Sequence, residues 1–235
     1  MTSLATRFRR IQDRIRAAAE GAGRDPSGIR LVAVSKTHPP ESIRAVAESG
    51  QTLFGESRIQ EAQAKIPLLP SSLEWHFIGH LQSNKIRKAL PLFAFFHGID
   101  NSALAAQMNR VSEESGSFPR VLLEVNVSGE GTKFGFPPDR LHADIADLLA
   151  LPRLQVLGLM TMAPYSDDPL AARPYFAALR RLRDDLEQQT GTHLPELSMG
   201  MSGDFESAIA EGSTLVRIGS AIFGQRPKPQ PEGFS

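Results

Sequence analysis

The 235-residue chain contains no cysteine, which excludes disulfides, thiolate metal sites and cysteine nucleophiles together. It carries no net charge: Lys plus Arg and Asp plus Glu number 26 each. Nothing in that balance draws the whole molecule toward nucleic acid or an anionic membrane. Long hydrophobic runs are also missing. The longest, such as Val121 to Val127, is interrupted by charge and is far too short to span a bilayer. The segment from Met1 to Glu20 is Arg-rich and has no continuous apolar stretch, unlike a secretory signal. These absences lead to the expectation of a soluble, cytoplasmic protein that does not meet a membrane.

What is present is the material of one globular core. Hydrophobic residues make up 41% of the chain, ordinary for a folded domain, and barrels of alternating strands and helices run to roughly 250 residues. Leu4, Phe8, Ile11, Ile15 and Ala18 recur at helical spacing, predicting an amphipathic helix over residues 3–21 that stops at Gly21 and Gly23. The same helix carries Arg7, Arg9, Arg10, Arg14 and Arg16, read first as its solvated face and second as a docking surface for a protein or RNA.

Beyond it the chain alternates. Short apolar strands are expected at residues 31–35, 52–54, 74–78, 93–97, 120–127, 154–160, 196–198 and 214–218, each followed by a helical segment. Strands buried on both faces with helical crossovers imply a parallel sheet, and eight units suggest closure into a (β/α)8 TIM-like barrel. The alternative is an open doubly wound sheet, but no glycine fingerprint follows the first strand. One domain over residues 1–225 is expected, with a disordered proline-rich tail over 226–235.

In such a barrel, functional groups gather at the C-terminal ends of the strands. The polar residues there are Ser35, Lys36, Glu56, Ser57, His80, Asn126, Thr161, Ser198, Ser202, Arg217 and Ser220. Lys36 directly follows a buried strand. A lysine in a partly dry barrel mouth has a lowered pKa and attacks carbonyls as an amine; a lysine snorkelling into solvent fits its position as well. The last two loops, Met199-Gly-Met-Ser202-Gly203-Asp204 and Arg217-Ile-Gly219-Ser220-Ala221, both lead into short helices, Ser202 or a neighbour being the expected N-cap of the first. Barrels often hold phosphate at these loops, and ordinary capped turns are the other reading. Together the two signals suit a ligand with an aldehyde at one end and a phosphate at the other: pyridoxal 5'-phosphate (PLP), or a phosphorylated sugar in a Schiff-base aldolase.

Other constellations fall away. His76 and His80 lack a helical setting and a neighbouring carboxylate ligand set, so no metal site is expected. His38, His97, His142 and His193 are scattered and read as structural or solvated, Glu124 reads as a paired interior charge, and Trp75 reads as core.

The segments Leu31-Val-Ala-Val-Ser-Lys36-Thr, Phe54-Gly-Glu56, Trp75-His-Phe-Ile-Gly-His80-Leu-Gln-Ser-Asn-Lys85, Gly158-Leu-Met-Thr-Met162, Met199-Gly-Met-Ser-Gly-Asp204 and Val216-Arg-Ile-Gly-Ser-Ala-Ile-Phe-Gly224 run through almost the whole chain in order. In this combination the sequence resembles the pyridoxal phosphate homeostasis family, the proline synthetase co-transcribed homologues. The resemblance implies a PLP-binding barrel of fold type III, like the N-terminal domain of alanine racemase without that enzyme's second, β-rich domain. It implies that Lys36 carries PLP as a Schiff base, that Ser202, Gly219 and Ser220 hold the phosphate, and that Arg217 faces the pyridine nitrogen. Where the family usually reads Phe-Gly-Glu-Asn-Tyr, this chain has Phe54-Gly-Glu-Ser57-Arg58, which removes any contact made by that Asn.

The function the resemblance implies is intracellular PLP homeostasis, buffering or delivering the cofactor to PLP-dependent apo-enzymes, without catalysis. A guanidinium beside the ring weakens its electron withdrawal, and Tyr165 is the only tyrosine expected near a strand end. A weak PLP-dependent amino-acid racemase is the enzymatic alternative. A monomer is expected, since the usual racemase dimer interface needs the second domain.

Overall fold

The structure is a computed structural model that describes residues 3–131 and 133–224. The expected tail over 226–235 lies outside the described residues. Among the described residues, eight parallel strands close into a barrel in sequential order: β1 (Arg30–Val34), β2 (Leu53–Glu56), β3 (Glu74–Phe77), β4 (Phe95–Ile99), β5 (Arg120–Glu124), β6 (Gln155–Met160), β7 (Glu196–Ser198) and β8 (Leu215–Ile218). β8 pairs back onto β1, placing Arg217 opposite Val32. The open doubly wound alternative is therefore excluded.

Helices cover the outside: α1 (Leu4–Gly21), α2 (Pro40–Ala47), α3 (Ile59–Lys65), α4 (Ile86–Ala89), α5 (Ser102–Ser115), α6 (Pro138–Leu149), α7 (Arg173–Thr190), α8 (Phe205–Ala210) and α9 (Ser220–Phe223). Several have a local cause. Pro40 and Pro138 occupy first turns, where the missing N–H is not needed. Asn101 caps α5 by accepting from Leu104 N at 2.8 Å, and Gly116 and Gly191, both in the left-handed region, end α5 and α7.

α1 buries Phe8, Ile11, Ile15 and Ala19 against α8 and α9. Its basic residues are partly committed within the molecule. Arg7 Nε donates to Ile222 O at 2.7 Å, and Arg14 pairs with Glu206 and lies over the Phe205 ring. No described helix is long and apolar enough to cross a membrane.

Inside the barrel, Val32, Leu53, Phe95, Leu122, Met160 and Leu215 form one buried apolar layer from six strands. This follows from the two-residue period of a strand: alternate residues enter the barrel and the rest pack under the helices. Polar residues lie on either side of that layer, with the N-terminal end ringed by Arg30–Glu196 and Arg120–Glu74 pairs.

Most strand boundaries differ by a residue or two from the sequence reading, and for two strands the packing shows the cause. β4 runs over 95–99 rather than 93–97, because Phe93 stays outside the strand and packs edge-on against Phe77, with ring centroids 5.1 Å apart. The apolar run Phe93-Ala-Phe-Phe carries no alternation that fixes its phase. β5 ends at Glu124 rather than Val127, since the backbone at Phe136 returns to it: Phe136 N donates to Glu124 O at 2.8 Å and Asn126 N to Phe136 O at 3.0 Å.

Candidate functional site

One cavity of about 360 Å³ opens at the C-terminal ends of β1, β6, β7 and β8, and Lys36, Ser202, Arg217, Gly219 and Ser220 all line it. The five residues expected from sequence thus come together, although Lys36 and Ser220 are far apart along the chain. Gly219 makes this possible. A Cβ at Gly219 would lie 3.2 Å from Val34 O and 3.3 Å from Val34 Cβ. A side chain there would have to displace Val34 by a few tenths of an ångström, so the glycine lets the loop after β8 lie close to the strand that presents Lys36 without strain.

The turn at Lys36 is held from below. Thr37 adopts φ 68°, the left-handed region that β-branched residues rarely enter, and its N–H donates to Glu61 Oε2 at 2.8 Å. Lys65 Nζ bridges Glu56 Oε1 at 2.9 Å, Glu61 Oε2 at 3.0 Å and Ser35 O at 3.2 Å. Ser35 Oγ also donates to Glu56 Oε1, at 2.8 Å. Burial raises the Glu56 carboxyl above its ordinary pKa, against the pull of Lys65.

Arg217 enters from β8 and is buried. Its Nη1 donates to Ser198 Oγ at 2.6 Å and its Nη2 to Thr161 O at 2.9 Å. Burial lowers its pKa to about 10, opposed by Glu124 and Asp204, so it remains a cation at neutral pH. Glu124, the buried last residue of β5, is pushed up to about 7 by burial and then by Asp100, with Arg217 acting in the opposite direction.

Of the N-cap candidates expected for α8, Ser202 or a neighbour, a neighbour stands there. Asp204 holds that N-cap position, and its Oδ1 accepts from Met201 N at 2.6 Å, folding the loop on itself. Ser202 Oγ instead accepts from Ala221 N at 3.4 Å, linking the loop after β7 to α9. The hydroxyl is thus used between the two loops because they converge on one mouth.

Other strand-end residues serve elsewhere. His80 pairs with Asp100 at 3.0 Å and stacks on Phe134 with centroids 3.9 Å apart, outside the cavity lining. Asn126 closes its own loop by donating to Glu130 O and accepting from Gly129 N. Arg58, at the departure from the family pattern, is exposed and faces Glu61. Among the described residues no group of His, Asp or Glu could hold a metal.

Apart from Tyr165, already placed near a strand end, the sequence reading missed the cavity's remaining wall. His38 lines it and stacks on Phe223 with centroids 5.1 Å apart, while Met162, Tyr165 and Met201 form a partly exposed apolar rim. Tyr165 turns its hydroxyl to Asp167 Oδ1 at 2.8 Å and is 92% exposed.

The family described as "alanine racemase, N-terminal domain" matches residues 7–227. The pyridoxal phosphate homeostasis protein of Aquifex aeolicus is 45% identical over 221 residues, covering 94% of this chain and 97% of that protein. The chain belongs to the pyridoxal phosphate homeostasis protein family. Among solved structures, PipY of Synechococcus elongatus PCC7942 with PLP bound superposes with a TM-score of 0.79 at 40% identity, covering 89% of this chain and all of that one. The alanine racemase of Clostridium difficile 630 matches at TM-score 0.72 and 15% identity over 57% of its length, a likeness of fold alone. Five of the six family motifs contribute residues to the cavity wall, and Phe54-Gly-Glu56, at the end of β2, does not.

Proposed function

We propose that this chain binds PLP in the cavity above β1, β6, β7 and β8 and serves PLP homeostasis by holding and releasing the cofactor. The observation that carries this reading is the convergence of one lysine, two glycine-serine loops and one buried arginine on a single cavity of about 360 Å³. That size lies within the usual range for small-molecule sites.

The donor set fits the cofactor. Lys36 Nζ is the amine that would bond the aldehyde carbon as a Schiff base, with loss of water. Ser202, Gly219 and Ser220 would receive the phosphate. Gly203 leaves open space where a Cβ would otherwise stand, so backbone can approach an anion there. Arg217, charged at neutral pH, would face the ring nitrogen.

Bound PLP supplies an electron-withdrawing ring, and a cation beside the ring nitrogen disfavours the proton that would strengthen that withdrawal. Proton transfer on both faces of a substrate would need a second group opposite Lys36, and the Tyr165 phenol is engaged with Asp167. The site therefore suits storage and delivery, with PLP-dependent apo-enzymes as recipients, better than racemisation. The test is to mix PLP-loaded protein with an apo-enzyme and, separately, with amino acids in heavy water. Delivery of active cofactor without α-proton exchange is expected. Exchange at a catalytic rate would establish the racemase instead.

A further inference from the structure

A file of polar side chains descends from Arg217 through the inside of the barrel. Arg217 Nη1 donates to Ser198 Oγ at 2.6 Å, and Ser198 Oγ lies 2.9 Å from His97 Nδ1. His97 Nε2 lies 2.8 Å from His76 Nδ1, and His76 Nε2 lies 3.1 Å from Glu74 Oε1. Glu74, at the N-terminal edge of the barrel, also accepts from Arg120 Nη2 at 2.6 Å. Ser198, His97 and His76 are wholly enclosed. The file crosses β8, β7, β4 and β3, so it is built from strand interiors and from no loop.

With neutral rings, one arrangement of protons satisfies every contact. The Glu74 carboxylate can only accept, so the proton of His76 sits on Nε2. His76 Nδ1 is then bare and accepts from His97 Nε2–H. His97 Nδ1 is bare in turn and accepts from the Ser198 hydroxyl, whose oxygen accepts from Arg217. Burial holds both imidazoles below their ordinary pKa, which favours the neutral form. Every donor points the same way, from the cavity to Glu74.

We propose that Ser198, His97 and His76 are positioning residues for Arg217, a one-way hydrogen-bond chain that fixes its guanidinium at the cavity wall from the far end of the barrel. The role rests on the reading that the cavity holds PLP with its ring nitrogen at Arg217. A long arginine side chain has many rotamers. Ser198 Oγ and Thr161 O hold its two terminal nitrogens, and Ser198 keeps its own orientation because its hydroxyl hydrogen is claimed by His97. An apolar residue at 97 would leave that hydrogen without its acceptor and the hydroxyl free to turn away from the guanidinium.

The test uses the intact protein with ¹⁵N-labelled histidine, with and without PLP. Long-range ¹H–¹⁵N spectra should show His97 and His76 neutral, each protonated on Nε2, across the neutral pH range. Loading with PLP should shift His97 Nδ1 and leave the half-buried His142 and the exposed His193, both away from the file, unmoved. In Ser198→Ala that response should disappear, and PLP affinity should fall roughly tenfold, as for loss of one hydrogen bond to a charged group. Ser198→Thr, which keeps the hydroxyl, should restore both. A His97 proton on Nδ1 in the wild type would overturn the chain, whether or not any variant folds. So would wild-type affinity in folded Ser198→Ala. If the wild type takes up no PLP at all, the site reading fails and the positioning role fails with it, while the ring protonation pattern is still read separately.

Discussion

Lys65 Nζ lies 2.9 Å from Glu56 Oε1 and 3.2 Å from the carbonyl oxygen of Ser35, the residue before Lys36. A charge buried under the strand end thus fixes the turn from which the PLP-binding lysine is proposed to project. Among the described residues Glu56 Oε2 is buried without a hydrogen-bond partner, and the carboxyl is held through Oε1 by Lys65 and Ser35.

Removing Lys65 leaves that carboxylate uncompensated. Lys65→Ala is expected to destabilise the fold by roughly 3–5 kcal/mol, the usual consequence of breaking a buried pair from one side. Adding Glu56→Gln should recover part of the loss. Urea unfolding of the two single variants and the double variant measures this, and strict additivity would show that the pair is not coupled.

Glu124 gives the fold a pH dependence of unusual sign for a carboxylate. Its folded pKa is raised from 4.5 to about 7 by burial. Between those values the folded protein keeps a proton that the unfolded chain has lost, so stability falls as pH rises through this window and then levels off. Glu124→Gln removes the effect. In the PLP-free protein it should raise stability by up to roughly 3 kcal/mol at about pH 8, and by little at acid pH. Equal gains at both pH values, read by thermal unfolding, would contradict this.

The loop after β7 depends on Gly200, which has φ +93°. A Cβ there would lie 2.6 Å from Ala208 Cβ and 2.9 Å from Phe205 Cα. Gly200→Ala should push α8 off the loop, destabilise the protein by about 1–3 kcal/mol and weaken PLP binding. Gly203→Ala meets nothing within 4 Å and should change stability by less than about 0.5 kcal/mol. Similar melting losses in the two variants would show that contact at Gly200 is not the cause.

The barrel was legible in the sequence because each strand is a short apolar run bracketed by helix starts and stops, and that rhythm is local. Lys36, Ser202, Arg217 and Ser220 were legible as strand-end residues, but it was the resemblance to the family that singled them out, with Gly219, from the other polar residues at strand ends. What could not be read was set by contacts across the barrel. His97 and His76 read as isolated histidines until β3 and β4 pair and turn both rings inward. The role of Ser202 depends on how close α9 comes. The strand phase around Phe93 depends on an aromatic cluster shared with Phe77. His38 has no sequence signal for its stacking on Phe223, which comes from the other end of the chain.

The most direct measurement is the visible absorption spectrum of the protein with PLP, for wild type and Lys36→Ala, followed by borohydride reduction and mass spectrometry. The account predicts a Schiff-base band in the wild type, its absence in the variant, and reduced PLP fixed on Lys36. No band in the wild type, or a band that survives Lys36→Ala, would contradict it.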